Sequence, residues 1–170
     1  DAVAWVQPGA GAGVVNDRNQ PFSTPAAALA AVLAAGTPGR RVRLLAGTYA
    51  AGLPGVTFLG NTGRPVVYER DSATAKADVV LTSSAASANV SGRVVISGVT
   101  CSLPTGGSHF YSSGGTPAQL MLDDCDFIGG GPQATDQNTA ICSNTPYSIM
   151  HIGSTFSGFG GSLPPGSAST

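Results

Sequence analysis

Two stretches decide the fold: Val94-Val95-Ile96-Ser97-Gly98-Val99-Thr100-Cys101 and Leu120-Met121-Leu122-Asp123-Asp124-Cys125-Asp126-Phe127. In both, apolar residues stand at relative positions one, three, six and eight. Alternation places every second side chain of a strand on one face, so each stretch reads as two strands joined by a tight polar corner, Ser97-Gly98 or Asp123-Asp124. The same inward position recurs from Cys101 to Phe127 after 26 residues and from Phe127 to Phe156 after 29. The third copy is imperfect. Ile149, His151, Ser154 and Phe156 fill its slots, unless a bulge turns Ile152 inward. This period suits one coil of a parallel β-helix, each coil adding about 4.8 Å. A sandwich would also give short strands, but not a corner repeated at that spacing.

Outward from these stretches, short apolar runs at Val42–Leu45, Val56–Leu59, Val66–Tyr68 and Val79–Leu81 extend the β pattern, separated by Gly, Pro, Asn and Ser clusters. Ala2 to Val6 alternates weakly and predicts one more strand, followed by a Gly-rich loop from Gly9 to Asn19. The one helix is predicted over Ala26 to Ala35. Thr24 serves as N-cap, Pro25 takes the first helical position, and Gly36 is the stop. Leu29 and Val32, with the alanines between them, give it a smooth stripe that lies flat against something apolar. With no second helix, ordinary βαβ crossovers are excluded. The expected architecture is all-β: a cap over 1–40, β-helix coils over 41–160 and a polar, flexible tail over 161–170.

Composition narrows the function. A chain of 170 residues fits one domain with a real core. Charged residues are 10%, less than half the usual share, and the net charge is −1. No field draws nucleic acid or an anionic membrane, and no apolar run reaches the length of a membrane span. Arg40, Arg41 and Arg43 cluster, but alternation sends Arg41 and Arg43 to a solvated face and Val42 and Leu44 to the other. Three cysteines, Cys101, Cys125 and Cys142, argue against a disulfide framework, although one pair could still close. The chain begins at Asp1 without Met or a signal peptide, which reads as a processed or trimmed product.

The opening of the chain resembles that of right-handed β-helix proteins of the pectin-lyase-like superfamily. The matching elements are Asp17-Arg18-Asn19, Pro21-Phe22-Ser23-Thr24, the Ala-rich helix, Pro38-Gly39-Arg40-Arg41-Val42 and Gly47-Thr48-Tyr49, within residues 1 to 50. The resemblance implies a right-handed single-stranded parallel β-helix whose N-terminal strand and helix cover the first coil. The fold hosts polysaccharide lyases, hydrolases, phage tailspikes, adhesins and structural modules, so it does not by itself fix a function.

Asp123, Asp124 and Asp126 form the acidic cluster of the chain. Adjacent carboxylates suit Ca²⁺ or acid–base work on a glycosidic bond. Asp123-Asp124-Cys125 is similar to the Asp-Asp-Cys segment of polygalacturonase-like hydrolases. Those enzymes add an Asn-Thr-Asp, a His-Gly and an Arg-x-Lys segment on neighbouring coils. Here Ser97-Gly98-Val99 precedes, His151 is followed by Ile152, and no Arg or Lys follows Arg93. A solvated corner is therefore the expected reading, with Asp123, Asp124 and His151 the residues to bet on if the chain is an enzyme. His109, Phe110 and Tyr111 stand in a Gly/Ser-rich stretch and read either as a contact tip for a partner or sugar, or as a coil strand. No zinc spacing, phosphate loop or nucleophile elbow is present, so neither metal nor cofactor is expected. The expected function is a non-catalytic structural or binding component of a virion (capsid decoration, fibre or tailspike module). Such a chain would act in a virion or extracellularly and assemble as a homo-oligomer, a trimer, or with other virion proteins. The alternatives are a carbohydrate-active enzyme or a secreted adhesin.

Overall fold

The computed structural model describes residues 1–37, 39–49, 65–82, 88–89, 92–102, 109–113, 118–131, 139–143 and 147–159. The expected strand at Val56–Leu59 and the tail over 161–170 lie outside the described residues. The elements in chain order are β1 (Ala2–Val6), α1 (Pro25–Ala34), β2 (Arg40–Leu44), β3 (Gly47–Tyr49), β4 (Val66–Arg70), a short 3-10 turn (Lys76–Asp78), β5 (Val79–Thr82), β6 (Ala88–Asn89) and β7 (Gly92–Ser97). There follow β8 (Thr100–Ser102), β9 (His109–Ser113), β10 (Ala118–Asp123), β11 (Asp126–Gly131), β12 (Thr139–Ser143), β13 (Tyr147–Ile152) and β14 (Thr155–Phe159). Among the described residues the fold is mostly parallel β-sheet with one α-helix.

Three sheets take the strands in a fixed rotation. The first has the order β1-β2-β4-β7-β10-β13, the second β14-β11-β8-β5-β3, and the third β12-β9-β6. From β4 onward the chain places a strand in the first sheet, then in the second, then in the third, and begins again. Every pairing is parallel. The third sheet escapes a reading of apolar runs, because His109–Ser113 and Thr139–Ser143 are mostly polar or small.

Register converts the sequence repeat into a packed core. In the first sheet Ala4, Val42, Tyr68, Ile96, Leu122 and His151 are successive partners in one row. In the second, Tyr49, Leu81, Cys101, Phe127 and Phe156 form the corresponding row. All members are buried except His151 and Phe156, in the last described strands. Such side chains stabilise the fold by about 1.5–3 kcal/mol each when fully buried. Phe127 and Phe156 stack with ring centroids 4.9 Å apart and planes 9° from parallel. Ile152 pairs with Asp123 in the neighbouring, outward row, so the third copy keeps the slots Ile149, His151 and Phe156 without an inward bulge.

The corner between the first and second sheets is the same at three successive levels. Gly98, Asp124 and Gly153 all take a left-handed backbone, with φ of 68°, 51° and 59°. That region is open to Gly and tolerated by Asp, which explains the residue types there. The corners are also tied to one another: Gly98 N–H donates to Asp123 C=O (2.9 Å), and Asp124 N–H to Ile152 C=O (2.9 Å).

The N-terminal end is closed by local chemistry. The Thr24 side chain accepts from Ala27 N–H (3.2 Å), Pro25 opens the helix, and Gly36 follows with φ 66°. Ala28, Leu29 and Val32 are buried where α1 packs on β1 and β2. The outer edge of β1 is occupied too. Asn16 N–H donates to Val3 C=O (2.7 Å), Val3 N–H to the Asn16 side chain (2.9 Å), and Phe22 N–H to Trp5 C=O (2.7 Å).

Tyr68 is fully buried in the central row, and its hydroxyl has no hydrogen-bond partner. Burial raises its pKa. An unpaired buried hydroxyl costs about 1–3 kcal/mol. Tyr68→Phe is therefore expected to raise stability by about 1 kcal/mol, whereas Leu122→Ala, two levels away in the same row, should lower it by about 2–5 kcal/mol. Urea denaturation of both variants checks this, and a destabilised Tyr68→Phe would contradict the row as described.

Candidate functional site

The carboxylates of the corner are engaged individually. Asp123 lies in the outward row of the first sheet and accepts from the Ser97 hydroxyl on the level below (3.1 Å). Asp124 is exposed at the corner, and Asp126 begins β11. Between these two lies Lys76, the single lysine of the chain, with its Nζ 2.8 Å from Asp124 Oδ1 and 3.1 Å from Asp126 Oδ2. Asp126 also accepts from the Thr155 hydroxyl (2.7 Å). Hydrogen bonds from Thr155 and Lys76 hold the Asp126 carboxyl below the usual range, and those to Asp124 and Asp126 push the Lys76 ammonium up. The ammonium stands where a cation bound by both carboxylates would sit. An ammonium so stabilised gives up its proton less readily than that of a free lysine.

His151 lies elsewhere. Its partner in β10 is Leu122, so it belongs to the inward row while Asp123 belongs to the outward one. Its ring meets Phe156 edge-on, with centroids 5.8 Å apart. The three candidates for catalysis thus divide between a corner and the two faces of a sheet. His109, Phe110 and Tyr111 form part of β9, with Tyr111 in register between Ala88 and Ile141. Their backbone lies within a parallel strand of the third sheet. Among the described residues, no group of three or more His, Cys, Asp or Glu converges as a metal site, and no helix is long and apolar enough to cross a membrane. Cys101 and Cys125 are buried free thiols, and burial raises the pKa of both. Cys142 has no described side chain.

A second polar cluster, invisible as a motif, ties the N-terminal segment to the sheets. Asp71, 3% exposed, accepts from Trp5 Nε1 (2.9 Å), Arg18 Nη2 (3.1 Å), Arg18 Nε (3.4 Å) and Ala73 N–H (3.1 Å). Arg18 comes from the Asp17-Arg18-Asn19 turn, which Asp17 closes by accepting from Asn19 N–H (2.9 Å). Arg43 lies over the Trp5 ring at 5.7 Å and, with Arg41, grips Glu69 (2.8 and 2.7 Å). The arginine face is thus solvated as expected, but cross-linked. Apart from the local bonds to Ala73 and Asn19, these hydrogen bonds join residues 26 to 66 positions apart, beyond the reach of any local motif.

Comparison with known protein families, curated proteins and solved structures found no match. The function therefore has to be read from geometry alone.

Burial alone would raise the Asp71 pKa, but the bonds from Arg18 and Trp5 outweigh it and hold the carboxyl below its ordinary 3.8. A depressed carboxyl contributes stability above its unfolded-state value and loses it as pH falls through the folded one. Asp71→Asn is expected to cost about 2 kcal/mol at neutral pH. The difference from the native chain should shrink below about pH 4. Denaturation midpoints of both proteins across that window test it, and a pH-independent difference would contradict it.

Proposed function

We propose that the chain is a right-handed single-stranded parallel β-helix acting as a non-catalytic structural or binding module, most consistent with a virion component of the decoration, fibre or tailspike kind. The rotation of strands through three sheets supports the β-helix reading, since a chain revisiting the same sheets in the same order winds about an axis. The observation that carries the non-catalytic reading is the placement of Lys76 between Asp124 and Asp126, with His151 on the opposite face from Asp123. Acid–base cleavage of a glycosidic bond needs two carboxyl groups flanking one bond, one of them kept protonated. Here one carboxyl is held ionised and the lysine beside it charged. Sparse charge and a closed N-terminal end suit a part that is built into a larger assembly, in a virion or outside the cell. Contact with a sugar or protein partner is assigned to the β9 segment His109, Phe110 and Tyr111.

The test is incubation of the purified chain with acidic polysaccharides, followed by measurement of new reducing ends and of unsaturated products. No release is expected. Release that disappears in Asp124→Asn would overturn the proposal in favour of a carbohydrate-active enzyme.

A further inference from the structure

The segment between β1 and α1 lies along the outer edge of β1. Asn16 N–H donates to Val3 C=O and Phe22 N–H to Trp5 C=O, each over 2.7 Å, while Val3 N–H reaches the Asn16 side chain (2.9 Å). Gln7 N–H donates to Phe22 C=O (2.9 Å), and Val6 and Phe22 form a parallel bridge. Little apolar packing supports these bonds. None of residues 7–21 is buried; Phe22 is, and Val15 packs partly against the core. The strand they cover, Ala2-Val3-Ala4-Trp5-Val6, carries neither charge nor proline, the features that guard natural edge strands. Beyond β1, the hydrogen bonds from the side chains of this segment to the rest of the described residues run from Arg18 to Asp71 alone.

We propose that residues 7–22 form a guard that opens as a unit while the sheets stay folded, and that the Arg18–Asp71 pair is its catch. Regions with few buried apolar contacts and exposed backbone bonds open at a fraction of the free energy of global unfolding. The segment fits that description, whereas its anchor does not. Asp71 is the one buried charged residue among the described residues and follows directly on β4, whose Tyr68 sits in the central row. Its N–H donates to Leu44 C=O (2.9 Å), and its carboxylate also accepts from Trp5 Nε1 and Ala73 N–H. The carboxylate therefore stays in place when the segment leaves. Of its partners only Arg18, half-exposed, belongs to the moving part. Charge-assisted hydrogen bonds are roughly twice as strong as neutral ones, so this one side chain holds a large share of the closed state. Opening bares the Val3 and Trp5 carbonyls and leaves β1 able to pair with an added strand. Closed, the chain blocks its own edge. This device is independent of the chemistry at the Lys76 corner.

Amide hydrogen exchange of the full chain, followed by NMR, is the test. The amides of Asn16 and Phe22 report on the guard, and those of β7 and β10, each paired on both sides, report on the core. Arg18→Gln, at an exposed site, is expected to speed exchange at Asn16 and Phe22 about tenfold. Low urea should leave these two amides nearly unaffected while speeding the core ones, because a local opening uncovers little surface. Leu122→Ala, which weakens the distant core, should speed exchange in β7 and β10 and leave Asn16 and Phe22 at their native rates. Exchange of Asn16 and Phe22 that is unchanged in Arg18→Gln, that follows urea as steeply as the core, or that accelerates with the core in Leu122→Ala would each overturn the proposal.

Discussion

Parallel pairing in strict register is the constraint on which everything else depends. Among the described strands none pairs with a hairpin partner, so their ladder hydrogen bonds come from the level before and the level after. Register is tightly specified wherever one face is buried, because a slip by one residue would turn every apolar side chain outward. The central row through Val42, Tyr68, Ile96 and Leu122 is the physical form of that constraint. The left-handed corner at Gly98, Asp124 and Gly153 restarts β8, β11 and β14 in phase.

A stack of this kind must deal with its two ends, and this chain treats them differently. At the N-terminus the edge of β1 is bonded to a loop, and α1 covers the core beside it. Asp71 then locks the loop to the fourth strand through Arg18 and Trp5, so the cap is held by a buried carboxylate as well as by packing. Asp17 shapes the turn, Arg18 reaches Asp71, and the hydroxyl of Tyr49 lies within hydrogen-bond distance of the carbonyls of Val6 and Leu45. At the other end the same row positions are filled by His151 and Phe156, and both are exposed.

Much of this was legible in the sequence. Spacing of apolar residues placed the strands around Ile96, Leu122 and Phe127, and Thr24, Pro25 and Gly36 bracketed the helix to within a residue at each end. The choice between Ile149 with His151 and an inward Ile152 needed the register, since a single apolar residue fits either face. The third sheet was hidden because its strands, Ala88–Asn89, His109–Ser113 and Thr139–Ser143, are short or polar and take their conformation from neighbours rather than from propensity. The corner site was half visible: its carboxylates stood out, while Lys76, 48 residues away from Asp124, did not. The signal that finds it is charge economy, one lysine and one acidic cluster, each just ahead of a strand of the second sheet. The Asp71 cluster offered no such cue, since its members come from three separate segments.

The central claim is that the strands stack in parallel with partners a full repeat apart. Inter-strand nuclear Overhauser effects test it most directly. The account predicts contacts between Leu122 and Ile96, between Phe127 and Cys101, and between Phe127 and Phe156. Strong α-proton to α-proton contacts between β7 and β8, or between β10 and β11, would mean antiparallel hairpins and would contradict it.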